Sequence, residues 1–268
     1  MKYDLGFIGC GNMGSALAAA ASKSGAKIAC ADHNAHKLDL LSEKYGTVTI
    51  TAEEAASESR FVILGVKPQV MAKAASEISS ALAARTDSFT VVTMAGGLAI
   101  STFLKMLGGE YPIIRIMPNT PTAVGAGMTL YCTHGVSEAE ESEFLRLMAG
   151  SGLFDKMAEP KIDAATAVSG SGPAFALMFI EALADGAVKC GLTYEKALKY
   201  AQQMLYGTAK LALESGKHPA ELKNAVCSPG GSTIAGVKAL EDGAFRAAAM
   251  AAVEATYIRT KEMGQEAK

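Results

Sequence analysis

Gly9-Cys10-Gly11-Asn12-Met13-Gly14 spells G-x-G-x-x-G directly after a short apolar run, Leu5–Ile8, and directly before an Ala-rich helical stretch. That placement carries a chemistry. The first glycine makes a tight turn, the second lets the main chain approach a pyrophosphate, and the third lets the helix pack closely on the strand. The helix N-terminus then presents unpaired N–H groups and a partial positive charge to phosphates. Asp32 ends the next expected strand, roughly 20 residues on, where an acid receives the hydroxyls of an adenine ribose. Asp-His-Asn is equally a natural strand-end turn, so both readings of Asp32 stand here. The choice of nicotinamide cofactor is open as well: Asp32 argues for NADH, while His33, Asn34 and Lys37 together suit the 2′-phosphate of NADPH.

Three further strand ends point to the same crevice, because ligands of open α/β sheets sit beyond the carboxyl ends of the strands. Val66-Lys67-Pro68 and Ala95-Gly96-Gly97 bring a residue that cannot continue a ladder and a stretch of bare backbone. Ile116-Met117-Pro118-Asn119-Thr120-Pro121 is a rigid turn leaving the sheet. In the second half, Ser169-Gly170-Ser171-Gly172-Pro173 interrupts a helical pattern, and Cys227-Ser228-Pro229-Gly230-Gly231-Ser232-Thr233 precedes another helix. A Gly-Gly-Ser-Thr turn entering a helix offers several N–H groups and two hydroxyls, a carboxylate receptor without Arg or Lys. Ordinary N-capping by Ser232 or Thr233 explains the same residues on local grounds.

The elements that must hold these loops follow from the periodicity. Leu5–Ile8, Lys27–Ala31, Phe61–Val66, Phe89–Met94 and Ile113–Met117 read as strands, with crossover helices over Asn12–Ser24, Asn34–Tyr45 and Gln69–Ala84. Strands at Met128–Cys132 and near Leu153–Met157, with a helix from about Ser137 between them, complete a largely parallel sheet. From Pro160 onward the pattern is helical throughout, broken at Gly191, Gly216–Pro219, Ser228–Gly231 and Gly243. The expected fold is α/β: a Rossmann-like dinucleotide-binding domain over residues 1–158, then an all-α dimerisation and substrate domain over residues 159–268. The second part is apolar on more than one helix face, more surface than so short a chain covers alone, which predicts a homo-oligomer.

Composition narrows the function classes. Of 268 residues, 50% are hydrophobic and 19% charged, as in a folded globular protein. The net charge of −2 leaves no basic field to gather nucleic acid. Five scattered cysteines without a C-x-x-C pair give no metal site and fit a reducing cytoplasm. The N-terminus lacks a signal-peptide pattern, and the best apolar run, Phe175 to Val188, is interrupted by Glu181 and Asp185, so a soluble protein without membrane partners is expected.

Taken together, Phe7 to Gly14, Val66-Lys67-Pro68, Arg115 to Pro121, Ser169 to Ala174 and Cys227 to Ile234 resemble the pyrroline-5-carboxylate reductases, the last enzymes of proline biosynthesis. The resemblance runs over essentially the whole chain. It implies hydride transfer from NADPH or NADH to the C=N bond of 1-pyrroline-5-carboxylate, giving L-proline, and a helical domain that interleaves with its partner in a dimer, dimers often assembling into rings. It implies cofactor contacts at Gly9, Cys10, Gly11, Asn12, Met13, Gly14, Asp32, His33, Asn34, Val66, Lys67, Pro68, Ala95, Gly96, Gly97 and Asn119. Ser171, Ser228, Gly230, Gly231, Ser232 and Thr233 look like the substrate residues, with Thr233 placed to hydrogen-bond the substrate nitrogen. His33 departs from the family, where Arg commonly follows the Asp, and Ser232 stands where Thr or Ala is usual. A β-hydroxyacid dehydrogenase of the same plan would bring a Lys-x-x-x-Asn pattern after Pro173, which this chain lacks. A non-catalytic dinucleotide sensor would have no need of the Ser228–Thr233 loop.

Overall fold

The computed structural model describes residues 1–266. Its N-terminal part is one eight-stranded sheet: β1 (Tyr3–Ile8), β2 (Ile28–Ala31), β3 (Val48–Thr49), β4 (Ser59–Leu64), β5 (Thr90–Thr93), β6 (Ile113–Met117), β7 (Gly127–His134) and β8 (Gly152–Lys156). The spatial order is β3-β2-β1-β4-β5-β6-β7-β8, parallel everywhere except between β6 and β7. Helices α1 (Asn12–Ser22), α2 (Ala35–Tyr45), α3 (Ala52–Glu58), α4 (Pro68–Ala83), α5 (Ile100–Leu107) and α6 (Glu138–Met148) fill the connections. The order reverses between β1 and β4, the switch point at which α/β sheets bind ligands.

Both faces of the central strands are covered, so β2 and β5 are buried at every position. Side chains alternate accordingly: Val62 and Leu64 join Met71, Ile78 and Phe103 in one core layer, while Phe61 and Ile63 join Phe7, Leu17 and Phe144 in the other. The edges are guarded against further pairing, β3 by being two residues long and β8 by Asp155 and Lys156.

The expected strands all form, with shifted ends. β4 stops at Leu64 rather than Val66, and the main chain of Gly65 beyond it lies so close to Gly9 that a Cβ there would stand 2.5 Å from the Gly9 carbonyl oxygen. The short helices α3 and α5 and the strand β3 add to the expected set. α3 is announced by a capping box, Thr51 and Glu54 exchanging side-chain and main-chain hydrogen bonds. α6 has the same device in Ser137 and Glu140. Ser137→Ala should cost about 1 kcal/mol. The melting temperature would then fall by roughly 2–4 °C with dinucleotide affinity unchanged; a thermal melt alongside a binding titration checks both.

The C-terminal part is helical, as expected: α7 (Glu159–Ser169), α8 (Gly172–Lys189), α9 (Tyr194–Ser215), α10 (Pro219–Ala225), α11 (Ser232–Asp242) and α12 (Phe245–Glu266). Packing divides the chain into Met1–Ser171 together with the stretch from Thr256 onward, and Gly172–Ala255. This differs from a division at residue 159. α7 stays with the sheet unit because Glu159 and Asp163 pair with Arg115 of β6, and the last turns of α12 do so because Lys261 also reaches Asp163, at 3.3 Å.

The helical unit buries little of itself. Phe179 meets Phe245 with ring centres 5.4 Å apart, but Leu177, Met178, Tyr206, Leu213 and Met250 are each more than 60% exposed. The stretch Glu159–Lys189 is long and apolar enough by composition to cross a membrane, and only 11% of its apolar window is buried.

Candidate functional site

The loop after β1 is built by three glycines around one carbonyl. Gly9 takes φ +94°, closed to ordinary side chains, and a Cβ there would meet Val66. A Cβ on Gly14 would stand 2.3 Å from the Gly9 oxygen, so α1 rests on this turn backbone to backbone. Gly9 N–H donates to the Ala31 carbonyl and Gly65 N–H to the Ile8 carbonyl, both at 2.8 Å, and Ser15 Oγ donates to the Cys10 carbonyl at 2.8 Å.

Gly11 is different. Its backbone is ordinary, φ −65°, ψ −170°, and a Cβ there would meet nothing within 4 Å. The protein's own packing does not require glycine at this position, and the space over its main chain is open. Gly11 is also the N-cap of α1 and brings no side chain to the first-turn N–H groups, which remain open to an anion. The loop therefore fits a pyrophosphate. The neighbouring Cys10 thiol adds no charge, because its hydrogen bond with Cys30, joined by burial, drives its pKa far upward.

Asp32 is tied into the same loop. Its Oδ2 accepts from Cys10 N–H at 2.6 Å and its Oδ1 from Asn34 N–H at 2.8 Å. Beyond it opens a cleft of ≈ 350 Å³ whose lining includes Gly9, Asp32, His33, Ile50, Ala52, Val66 and Glu77. Lys67 is the N-cap of α4, with Pro68 at the first helical position; it is exposed and pairs with no carboxylate among the described residues. Ala95 and Gly96 follow β5, and Gly97 takes φ +75° with its main chain against Gly264 of α12. The turn thus brings Gly9–Gly14, Asp32–Asn34, Val66–Pro68 and the β5 loop to the carboxyl end of one sheet.

Asn119 has another partner set. Its Oδ1 accepts from Met128 N–H at 2.9 Å and its Nδ2 donates to the Ser169 carbonyl at 2.8 Å, with the residue only 8% exposed. Its amide joins the turn after β6 to the end of α7, next to Ser171. The sequence signal, a polar residue between two prolines, did not distinguish a ligand contact from such a brace.

In the helical unit, Gly230 takes φ +68° and Gly231 N–H donates to the Ser228 carbonyl at 3.1 Å, folding Ser228–Gly231 into a tight turn. A Cβ on Gly231 would lie 2.3 Å from Ser228 Oγ. Gly231, not Ser232 or Thr233, is the N-cap of α11, and no side chain caps it. The Ser232 and Thr233 hydroxyls sit in the first turn, exposed and without a hydrogen-bond partner among the described residues. Such a turn can receive a carboxylate on its N–H groups and donate or accept one further hydrogen bond through a hydroxyl. Among the described residues no group of three His, Cys, Asp or Glu side chains gathers as a metal site.

Comparison with known proteins places the chain in a family. Residues 159–263 match the family model for pyrroline-5-carboxylate reductase dimerisation, and residues 4–95 the model for NADP oxidoreductase, coenzyme F420-dependent. The chain is 41% identical over 271 residues to the pyrroline-5-carboxylate reductase of Arabidopsis thaliana, covering 98% of this chain and 96% of that one. With the Escherichia coli enzyme of that name it shares 38% identity, over 99% of this chain and all of the relative. The crystal structure of Plasmodium falciparum pyrroline carboxylate reductase with NADP bound superposes with a TM-score of 0.87 at 31% identity, covering 98% of this chain and 99% of that one.

Proposed function

Because the chain belongs to the pyrroline-5-carboxylate reductase family, we propose that its two anion-receptive turns hold the two reactants of one reaction. The chain is an NAD(P)H-dependent oxidoreductase that reduces the C=N bond of 1-pyrroline-5-carboxylate to L-proline, the last step of proline biosynthesis. Reduced nicotinamide, when bound, supplies the hydride. The observation that carries the cofactor assignment is the open space over Gly11 beside an uncapped helix.

The residues Gly9 to Gly14 hold the pyrophosphate, Asp32, His33 and Asn34 flank the adenosine ribose, and Val66, Lys67, Pro68, Ala95, Gly96 and Gly97 line the remainder. Asn119 acts at one remove, by fixing the turn after β6 to Ser169 and so setting Ser171. Ser228, Gly230, Gly231 and Ser232 receive the substrate carboxylate. Thr233 hydrogen-bonds the ring nitrogen. A cyclic imine is basic enough to be protonated near neutrality, and the proton that completes the amine is then already on the substrate. The protein needs no acid of its own, and its main contribution is to hold donor and acceptor carbons at near-attack separation.

Thr233→Ala removes one hydrogen bond to a charged group, worth about 1–3 kcal/mol. The expected result is a fall in kcat/KM of between five- and about 150-fold with an unchanged melting temperature; wild-type kinetics would remove Thr233 from the site.

The exposed apolar helices are read as the surface of a dimer, with dimers assembling further into a ring. The family model for dimerisation spans them, and Glu181 and Asp185 within the apolar stretch favour a protein partner over a bilayer. A net charge of −2 disfavours nucleic acid as a partner, and a cytoplasmic location fits the five free cysteines. Mass determination by light scattering tests the assembly. Initial rates of NADH and NADPH oxidation with 1-pyrroline-5-carboxylate, with proline identified as product, test the reaction; cofactor binding without turnover would refute it.

A further inference from the structure

We propose that this chain binds NADH in preference to NADPH, and that Asp32 is the residue that discriminates. The proposal rests on the dinucleotide assignment above. An adenine ribose bound across the glycine loop lies beyond the end of β2, where this chain fixes a carboxylate that it cannot turn aside. Each oxygen of Asp32 holds a main-chain N–H, that of Cys10 at 2.6 Å and that of Asn34 at 2.8 Å. Rotating the side chain away to admit a phosphate would unpair an amide of the glycine loop itself. Each oxygen keeps a lone pair for a ribose hydroxyl, so an unphosphorylated ribose is received where a 2′-phosphate is repelled.

No cation in the cleft lining offsets that charge; Lys37 of α2 lies outside the lining, although its charge reaches Cys10 of the glycine loop. The ionisable side chains lining the cleft are Asp32, Glu77 and His33, and no Lys or Arg lines it among the described residues. Glu77 is loosely paired with Lys73 at 3.8 Å, both exposed, which screens it in part. The N-terminus of α2 is not an open phosphate site, because Asn34 Oδ1 already accepts from Lys37 N–H at 3.2 Å. A 2′-phosphate brings roughly two negative charges. Within the cleft it would find one fixed carboxylate, one partly screened carboxylate and one imidazole, without the forked cation that phosphate recognition ordinarily uses.

The test is calorimetric titration of the enzyme, without substrate, with ADP-ribose and with 2′-phospho-ADP-ribose at low and high salt. The expected result is at least tenfold tighter binding of ADP-ribose, the gap narrowing as salt rises. Asp32→Asn keeps an acceptor for one loop amide and removes the charge; it should cut the ratio at least tenfold. Glu77→Gln, at an exposed residue of α4 that lines the cleft without bracing the glycine loop, should narrow it about twofold and stands in if the first variant does not fold. Equal or tighter binding of the phosphorylated ligand by the wild type overturns the preference while leaving the dinucleotide site intact. Failure of both ligands to bind overturns the dinucleotide site and the preference with it.

Discussion

Gly11→Ala and Gly14→Ala should fail in different ways. At Gly11 the new methyl group enters open space on an ordinary backbone, so the variant should melt within about 1 °C of wild type. It should nevertheless lose dinucleotide affinity at least a hundredfold, because the methyl occupies the volume against which the pyrophosphate packs. At Gly14 the methyl meets the Gly9 carbonyl oxygen at 2.3 Å, main chain against main chain. Neither partner is a flexible side chain, so α1 must move off β1, an overpacking cost of roughly 1–3 kcal/mol. Both stability and affinity should fall. Melting curves with nicotinamide fluorescence titrations separate the two cases. Retained affinity in Gly11→Ala would mean that the open space is not a cofactor cradle.

Arg115→Met should be the most damaging change far from either turn. Arg115 is 3% exposed at its side chain and donates to Glu159 at 3.3 Å and Asp163 at 2.9 Å. Those carboxylates are hubs in turn: Glu159 Oε1 also accepts from Ile100 N–H at 2.7 Å at the start of α5, and Asp163 from Lys261 of α12. Removing one partner of a buried pair leaves the other charge uncompensated, at about 3–5 kcal/mol. Because Glu159 is 31% exposed, the lower end is expected, near 3 kcal/mol, or roughly 6–12 °C in melting temperature. Adding Asp163→Asn to Arg115→Met should recover part of that loss. A fall of less than about 2 °C in the single variant would show that the cluster is not what fastens α7 to the sheet.

How far the sequence alone reached differs from residue to residue. The glycine turn was legible because its pattern, its strand before and its helix after are all local. The helical half was legible because its breaks at Gly191, Gly216, Gly230 and Gly243 coincide with real helix ends. Asp32 has two readings from sequence, and its hydrogen bonds show the brace directly, since both oxygens hold main-chain N–H groups. Asn119 could not be read, because one of its partners, Ser169, lies 50 residues on, and no local pattern encodes a contact across so many residues. The antiparallel β7 was equally hidden: strand direction depends on the connection, and a three-residue-per-turn helix over Thr120–Val124 followed by a return is indistinguishable in composition from a short crossover. α3 was missed for its length, seven residues without an apolar period, although its capping box was there to be found.

The sheet unit is discontinuous in the chain, closing only with the residues from Thr256 onward. During synthesis the strands and their crossovers emerge first, yet Gly97 gains its backbone neighbour at Gly264 and Asp163 its second cation at Lys261 only after the whole helical unit has been made. A fragment cut at residue 171 would therefore carry every glycine of the nucleotide turn while leaving the β5 loop bare on one side. The nascent chain has the sequence for cofactor binding long before it has the finished wall behind it.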